Sequence, residues 1–470
     1  MKLTIPSVFA VDEKTARKNR IQRLAGRSRG IDGSLATFTR DRLKGLLFES
    51  SDGMETILIV PPKSKNLPEN YATILSAEVD ARNEEVDVSN GIWLRNPLAE
   101  VQAVGNPYEQ ELQNVLDSWR GAFCYISEDP LNHIEGLRGP QIGALHAIHA
   151  HWAVSNSTAT IVMPTGTGKT ETMLSILVTA RCRRLMVIVP SDALRNQIAD
   201  KFVTLGLLKK PGIGLLSSTA QFPFVCKLEH IPQDIAELDD LAARAQVLVT
   251  TSSIVGQCSE ELQNRFAHHC PYLFIDEAHH AEAPTWSAFK ARFSNCRVVQ
   301  FTATPFREDG RPLDGTMVFK YPLKKAQEDG YFKPINFEQV TAFNLKKADK
   351  KIAETAIRRL RAELDKGHIL VARVENVKRA EQVYELYKSE TDLKPVQLHT
   401  GVASAKARDL ARRQLISKES RIVVCVDMLG GWAELEFRGP NSVRAISSHR
   451  WSDKISGGAQ RDCSGRPAQG

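Results

Sequence analysis

Residues 158–177 (TATIVMPTGTGKTETMLSIL) join a short apolar run, a glycine-rich turn and a helical stretch without a break. The run ATIVM has the length and composition of a buried strand. The glycines let the backbone of the turn wrap closely around a bound anion, whose charge then faces the amides and the helix N-terminus. A strand that enters a helix through such a turn predicts an α/β domain with a parallel sheet.

The alternation of strands and helices continues along the chain. The runs RLMVIVP, AQVLVTT, PYLFID and RVVQFTAT read as further strands separated by helical stretches, which predicts a parallel-sheet domain over residues 131–335. A polar connector follows. The runs HILVARV, PVQLHT and RIVVCVDML then begin a second set of the same style. They predict a second, incomplete α/β domain over residues 336–429.

The flanking segments have weaker patterns. Residues 1–45 are basic and rich in Gly and Ser, which is typical of a solvated arm or linker. Residues 46–130 mix short apolar runs with turn signals and predict a small α+β accessory domain of unknown role. Beyond Leu429 the periodicity stops, so residues 430–470 are expected to form an aperiodic, divergent tail. A truncated or frame-shifted product would have such a break.

The net charge of +7 has an uneven origin. Residues 1–44 contain 11 Lys or Arg and 4 Asp or Glu, while basic and acidic residues are equal in number in the rest of the chain. A basic arm is attracted to a phosphate backbone. A solvated tail would have the same composition, and charge alone favours the tail.

Several classes of protein are disfavoured. The chain has no apolar run long enough to span a bilayer and no secretory signal pattern, so a cytoplasmic location is expected. The eight cysteines contain no C-x-x-C pair, which argues against a disulfide framework or a zinc finger. The histidines of HAIHAHW and the segment 268–270 lack an acidic partner at a suitable spacing, so we expect surface histidines rather than a metal site.

The glycine-rich turn has the residues of a phosphate loop, although Met163 stands where the general pattern has its first glycine. Lys169 can reach the outer phosphates of a nucleoside triphosphate, and the Thr170 hydroxyl can coordinate Mg²⁺. The predicted ATP-binding residues of the turn are Thr165, Gly166, Thr167, Gly168, Lys169 and Thr170.

An acidic pair follows another predicted strand, in PYLFIDEAHH. Asp276 and Glu277 fall at its carboxyl end, and the carboxyl ends of parallel strands line the ligand crevice. We expect Asp276 to hold Mg²⁺ directly or through water, and Glu277 to orient and deprotonate the attacking water. Together with Lys169 they form the predicted catalytic set.

The motifs TGTGKT, DEAH and TATP, in this order, resemble those of the superfamily 2 helicases and translocases of the DEAD/DEAH-box type. In style they are most similar to the restriction-subunit and DNA-repair branch. The resemblance covers roughly residues 135–429. It implies two RecA-like domains, the second incomplete, in a motor that hydrolyses ATP with Mg²⁺. It also implies nucleic acid as partner, with DNA favoured over RNA, and leaves open a nuclease or restriction-type partner subunit.

The resemblance assigns further roles. The segment LRGPQIGALHAI resembles the one that reads adenine, with Gln141 and Arg138 as candidates, although an ordinary helix start would account for it equally well. His279, Thr302 and Thr304 match positions that couple hydrolysis to movement. The nucleic-acid candidates are Pro190, Ser191, Arg195, Thr250, Thr251 and Ser252. Their hydroxyls suit sequence-blind phosphate contacts, and helix capping is the alternative.

The chain departs from these motors after the run VDML. In the family a Gln-x-x-Gly-Arg-x-x-Arg segment inserts an arginine finger against the γ-phosphate, which contributes roughly 10³–10⁵ in rate. The tail offers only QRDCSGR, with Arg461 and Arg466 as candidates. Two alternatives therefore stay open: a hydrolysis-deficient ATP- and DNA-binding protein, and a subunit of a restriction or defence complex. A metabolic P-loop kinase is disfavoured by TATP and by the second α/β domain.

Overall fold

The computed structural model describes residues 1–15, 17–40, 43–79, 84–99, 107–280, 284–306, 313–332, 338–340, 345–399, 401–402, 404–426 and 444–447. The chain divides into two compact units, residues 1–328 and residues 329–470.

The first unit contains two sheets and the helices that pack on them. Its strands are β1 (Lys2–Ile5), β2 (Val8–Lys14), β3 (Arg20–Gly26), β4 (Arg29–Arg40), β5 (Leu43–Ser50), β6 (Thr56–Val60), β7 (Ile74–Ser76), β8 (Glu85–Asp87), β9 (Ile92–Arg95), β10 (Ala159–Val162), β11 (Leu185–Val189), β12 (Val225–Lys227), β13 (Val247–Thr251), β14 (Tyr272–Ile275), β15 (Arg297–Thr302) and β16 (Thr316–Lys320). Its helices are α1 (Pro107–Ser118), α2 (Gly139–Val154), α3 (Lys169–Thr179), α4 (Asp192–Thr204), α5 (Ile235–Arg244), α6 (Ser252–Gln257), α7 (Glu260–His269), α8 (Pro284–Ala291) and α9 (Leu323–Glu328).

The larger sheet, called here the main sheet, has the order β16-β10-β15-β14-β11-β13-β12-β3-β2. The strands from β16 to β12 all pair in parallel. Strands such as β11 (LMVIV) and β13 (VLVTT) are buried at every position, as expected where helices cover both faces of a parallel sheet. The predicted parallel α/β sheet is therefore confirmed, and its carboxyl edge collects the loops that follow β10, β11, β13, β14 and β15.

The prediction of a solvated arm over residues 1–45 is wrong. Strands β2 and β3 form a hairpin that extends the main sheet, because β3 pairs antiparallel with β12, with Ile21 opposite Cys226. Ile21 is fully buried and Leu24 is 2% exposed. The buried side chains are single apolar residues that alternate with charged ones. The high positive charge of the segment hid this alternation in the sequence.

Many basic residues of the same segment have partners within the fold. Arg23 forms an ion pair with Glu111 of α1 at 2.7 Å, and its guanidinium lies 4.7 Å from the centre of the Phe224 ring. Arg29 forms an ion pair with Glu55 at 2.6 Å. These contacts neutralise part of the positive charge that the composition assigned to a free arm.

The smaller sheet has the order β8-β1-β4-β5-β6-β7-β9 and is mostly antiparallel. Its centre is the long hairpin β4–β5, in which Arg40 lies opposite Leu43 and Gly33 lies opposite Ser50. The core includes Leu3 and Phe48, both fully buried. The predicted boundary at residue 45 therefore cuts through this sheet, which takes strands from both sides of it.

The second unit is a four-stranded parallel sheet with helices. It contains α10 (Leu345–Arg361), β17 (Leu370–Val374), α11 (Val377–Tyr387), β18 (Val396–Leu398), α12 (Ala405–Ile416), β19 (Ile422–Val426) and β20 (Arg444–Ser447). The sheet order is β18-β19-β17-β20. Leu370 and Ala372 pack into one hydrophobic cluster and Val371 into another, so both faces of the sheet are buried.

One strand of this sheet comes from the predicted aperiodic tail. Residues Arg444–Ser447 form β20 and pair in parallel with β17, opposite Leu370 to Arg373. Four residues are too few to give a recognisable period, so this strand depends on its neighbour rather than on its own pattern. The rest of the tail, including Arg461 and Arg466, lies outside the described residues.

Among the described residues the cysteines are free thiols, and burial raises the pKa of Cys226 and of Cys270 to about 12. Within the described part of the chain, none of the helices combines the length and apolar character that crossing a bilayer requires.

Candidate nucleotide site and nucleic-acid edge

The glycine-rich turn joins β10 to α3 at the carboxyl edge of the main sheet. Gly166 and Gly168 both have positive φ, +84° and +98°, which residues with a Cβ rarely adopt. A Cβ on Gly168 would also lie 1.8 Å from the Nε2 of Gln141. The Thr167 hydroxyl donates to the carbonyl of Pro164 at 2.6 Å and closes the turn. The backbone of the turn is thus closely wound, and its role as a phosphate loop stays a prediction.

The acidic pair follows β14, two strands away from β10 in the sheet. The amide of Asp276 donates to the carbonyl of Ile188 at 2.8 Å, which fixes the end of the strand, and Asp276 is 8% exposed. Glu277 has a φ of +48°, in the left-handed region, and its amide donates to Oδ1 of Asp276 at 3.0 Å. A residue with a Cβ held in that region stores strain, which is concentrated at functional sites in proteins.

The turn and the acidic pair meet through one contact. The Nζ of Lys169 donates to Oε1 of Glu277, 108 residues further along the chain. Lys169 is 7% exposed, so the ion pair is largely screened from water. The other carboxylate oxygen of Glu277, Oε2, is buried and accepts no hydrogen bond within the described residues. Oε2 lies 3.4 Å from Nδ1 of His279 in a charge contact rather than a hydrogen bond, so it can still accept one from a bound water or ligand group.

Two residues of the turn and the acidic pair have the chemistry to hold Mg²⁺. Thr170 and Asp276 supply a hydroxyl and a carboxylate, which are the hard oxygen donors that Mg²⁺ takes. Thr170 is 7% exposed. No group of three or more His, Cys, Asp or Glu side chains suited to a metal occurs in the described ranges. This donor set fits a cation that is bound by one or two protein oxygens together with substrate phosphates rather than by a protein cage.

His279 connects the acidic segment to the end of β15. Its Nδ1 lies 3.0 Å from the hydroxyl of Thr302 and 3.4 Å from Oε2 of Glu277. The Thr302 hydroxyl donates its single proton to the carbonyl of Thr304 at 2.8 Å. The proton shared with His279 must therefore be on Nδ1, and the imidazole is the donor. The structure thus brings together the three residues predicted for coupling.

Arg138 and Gln141 contact the phosphate loop from the start of α2. Arg138 donates through a guanidinium nitrogen to the carbonyl of Gly166 at 2.6 Å. Gln141 is 3% exposed, donates to the carbonyl of Gly168 at 3.3 Å and accepts from the Arg138 amide at 2.7 Å. The bond from the Arg138 amide to Gln141 belongs to the helix start, the alternative role that the sequence left open. The bonds to Gly166 and Gly168 hold the loop in place, and adenine recognition stays a prediction.

Sequence reasoning missed Glu128, whose carboxylate lies 3.7 Å from Arg138 Nε. Glu128 belongs to a segment before α2 that folds back on itself, with Ser127 bridged to Leu137. No motif marks this residue, and only the bridge brings it to Arg138. Its carboxylate therefore helps to orient the guanidinium that holds Gly166.

Most of the predicted nucleic-acid residues lie at the carboxyl edge of the main sheet. Ser191 caps α4 by accepting from the Leu194 amide at 3.4 Å, and Thr251 caps α6 by accepting from the Ile254 amide at 3.5 Å. Pro190 and Ser252 are half-buried beside them. Capping, the alternative role of these hydroxyls, therefore occurs, and it leaves the loops facing the same edge as the phosphate loop.

Two of the predicted nucleic-acid residues are turned inward. Thr250 is fully buried, and its hydroxyl donates to the carbonyl of Leu228 at 3.2 Å. Arg195 is 5% exposed and pairs with Asp192 at 2.6 Å and with Glu229 at 3.5 Å. A guanidinium already held by two carboxylates and removed from water does not present itself to a phosphate. In this structure Arg195 is engaged within the fold, and its predicted contact with a nucleic-acid backbone stays a prediction.

Known proteins provide a comparison for this geometry. Residues 135–307 match the family described as "Type III restriction enzyme, res subunit". No curated protein matches the chain. The crystal structure of T4 UvsW is similar at 18% identity and a TM-score of 0.28, over 66% of this chain and 61% of that one. A structure of Mss116p, with its NTE and C-tail deleted, bound to ssRNA and AMP-PNP, is similar at 16% identity and a TM-score of 0.39, over 69% and 66%. The chain spans less than two thirds of either protein.

Proposed function

We propose that this chain is a motor driven by ATP, of the superfamily 2 helicase and translocase class that its motifs resemble. The match of residues 135–307 to the family of res subunits supports the proposal. The chain binds ATP with Mg²⁺ around Lys169 and Glu277, hydrolyses it, and uses the energy to move along nucleic acid. DNA rather than RNA is the proposed track.

The observation that carries the proposal is the contact between Lys169 and Glu277. It joins the cation of the phosphate loop to the carboxylate of the acidic pair in one largely buried pocket. Hydrolysis of a phosphate anhydride needs both a cation on the outer phosphates and a base for the attacking water within reach of each other. A purely structural ion pair would not require Glu277 to adopt a left-handed backbone.

Each residue has a distinct part in the proposed reaction. The amides of residues 165–168 and the Lys169 ammonium bind the phosphates. Glu277 orients the attacking water and accepts its proton. Thr170 and Asp276 hold Mg²⁺, which when bound neutralises phosphate charge. His279 donates to Thr302, so a displacement of the Glu277 side chain would be transmitted to the end of β15.

A comparison of wild type with Glu277→Gln tests the proposal. We expect wild type to hydrolyse ATP faster when DNA is added, and Glu277→Gln to bind a fluorescent ATP analogue normally while its turnover falls by about 10²–10⁴. Glu261→Gln on α7, an exposed residue of the same unit, is the matched control. The proposal fails if wild type does not bind the analogue with Mg²⁺, or if both variants behave alike.

A second function is favoured by one sequence observation. Residues 430–470 lack the spacing of the arginine-finger motif, which suits a chain that binds ATP and DNA with little turnover of its own. The restriction subunit named by the matching family suits a chain that works with a partner nuclease. Normal nucleotide binding without DNA-stimulated hydrolysis would favour the first alternative. Turnover restored by a co-purifying nuclease subunit would favour the second.

A further inference from the structure

The turn between β2 and β3 lies at the same edge of the main sheet as the proposed nucleic-acid loops. In the register, Lys14 lies opposite Arg20, Arg20 lies opposite Lys227, and Lys227 lies opposite Val249. Lys227 is the last residue of β12, a strand parallel to β13 and therefore ending at the carboxyl edge. Because β3 runs antiparallel to β12, its first residue is at that edge. The turn that precedes β3 consequently extends the row of loops.

A buried asparagine holds this turn in place. Asn19 is fully buried, and its Oδ1 accepts from the amides of Glu229 and His230, both at 2.9 Å. Within the turn, the amide of Thr15 donates to the carbonyl of Asn19 at 2.8 Å, and the amide of Lys18 donates to the carbonyl of Thr15 at 2.8 Å. The turn is thus attached to the loop after β12 rather than being a free end.

The side chains of the turn carry positive charge without compensation. Lys14, Arg17 and Lys18, called here the basic turn, are exposed, and none of them pairs with a carboxylate in the described part of the chain. The neighbouring carboxylates are occupied by other cations: Asp12 by Arg20, Glu13 by Arg244, Asp200 by Lys227 and Glu229 by Arg195. Three cations therefore face solvent together at an edge where the local acids are already neutralised.

We infer that the basic turn binds the sugar–phosphate backbone of the nucleic acid on which the proposed motor acts; the inference rests on that proposed function. Adjacent strands are about 4.8 Å apart, so the turn before β3 is roughly 10 Å along the edge from the loop after β13. Phosphates of one strand are spaced by roughly 3.4 Å along a duplex. Three side chains at this distance extend the proposed contact with the nucleic acid by a few phosphates. They contact the backbone and do not read the bases.

Salt-dependent binding to a fluorescent DNA oligonucleotide tests the inference on the full chain. The triple variant Lys14→Gln, Arg17→Gln, Lys18→Gln should bind roughly tenfold or more weakly at low salt. The slope of log affinity against log salt should become shallower by about 2 on single-stranded DNA and by about 2.7 on duplex. The loss should be equal across oligonucleotide sequences, and binding of a fluorescent ATP analogue should be unchanged.

A matched control removes the same charge elsewhere. Lys44, Lys63 and Lys65 are exposed residues near the smaller sheet, and their triple glutamine variant should bind DNA like wild type. The charge-preserving variant Lys14→Arg, Arg17→Lys, Lys18→Arg should bind normally, which separates charge from folding. If the glutamine variant of the basic turn matches the control while wild type binds DNA, the inference is overturned and the motor proposal stands. If wild type binds neither DNA nor ATP–Mg²⁺, both are overturned.

Discussion

The carboxamide of Gln141 donates a hydrogen bond to the carbonyl of Gly168 at 3.3 Å, so the start of α2 is in direct contact with the phosphate loop. The approach is close enough that a Cβ at residue 168 would lie 1.8 Å from the Gln141 nitrogen. The loop geometry therefore depends on a residue 27 positions earlier as well as on its own glycines.

Gly168→Ala should lower the affinity for ATP by tenfold or more. The new methyl group would meet Gln141, and the left-handed backbone at φ +98° is unfavourable for alanine by roughly 1–2 kcal/mol. Titration with a fluorescent ATP analogue measures the loss. Gly256→Ala in α6 is the control, because a Cβ at that position would meet no atom within 4 Å beyond its chain neighbours and the backbone of its own helix, and helical alanine is favourable. Equal affinities for the two variants would contradict the argument.

Thr302→Val should leave nucleotide binding intact and reduce the stimulation of ATP hydrolysis by DNA. Valine keeps the shape of threonine but cannot accept from Nδ1 of His279 or donate to the carbonyl of Thr304. We expect affinity for the ATP analogue within about twofold of wild type and a tenfold or greater fall in DNA-stimulated hydrolysis. Thr302→Ser retains the hydroxyl and should stay close to wild type. Stimulation that survives in the valine variant would rule out a coupling role for this hydroxyl.

Asn19→Ala should destabilise the first unit by roughly 1–3 kcal/mol, because the amides of Glu229 and His230 lose the buried acceptor of their partly buried hydrogen bonds. Urea unfolding followed by fluorescence measures the change. Asn19→Asp keeps an acceptor at this position and should lose less. Asn90→Ala, at an exposed turn, is expected to stay within about 0.5 kcal/mol of wild type. A loss no larger than that of the Asn90 variant would show that the hairpin is not held through Asn19.

The contribution of Asp239 to stability should disappear in acid. Hydrogen bonds from Arg265 and His269 lower the pKa of Asp239 to about 2, below its ordinary value of 3.8. A carboxyl with a lowered pKa stabilises the fold above its unfolded-state value, and that stabilisation is lost as the pH falls from about 4 to about 2. Asp239→Asn should therefore lower Tm by about 1–3 °C at pH 7, a small effect because the pair is partly exposed to solvent.

Thermal scans at several pH values provide the measurement. The difference in Tm between wild type and Asp239→Asn should shrink as the pH falls below about 4, and should be smaller at high salt. A difference that stayed constant from pH 7 to pH 2 would show that Asp239 acts through packing rather than through charge.

Several features of the site follow from the sequence because they are local. The phosphate loop depends on glycines that tolerate positive φ and on a strand and a helix that are contiguous with it. The acidic pair follows a strand whose apolar run is readable by itself. The parallel sheet follows from the regular alternation of such runs with helices. All of this information lies within short windows of the chain.

Other features depended on residues far apart in the sequence. Strand β3 pairs with β12, some two hundred residues later, so the basic segment became part of the main sheet instead of an arm. Arg195 became buried because Asp192 and Glu229 both hold it. Strand pairing and the neutralisation of a charge are decided by partners that only the folded chain brings close. The sequence by itself therefore determined the chemistry of the loop and the acidic pair, and the tertiary structure decided which basic residues face solvent.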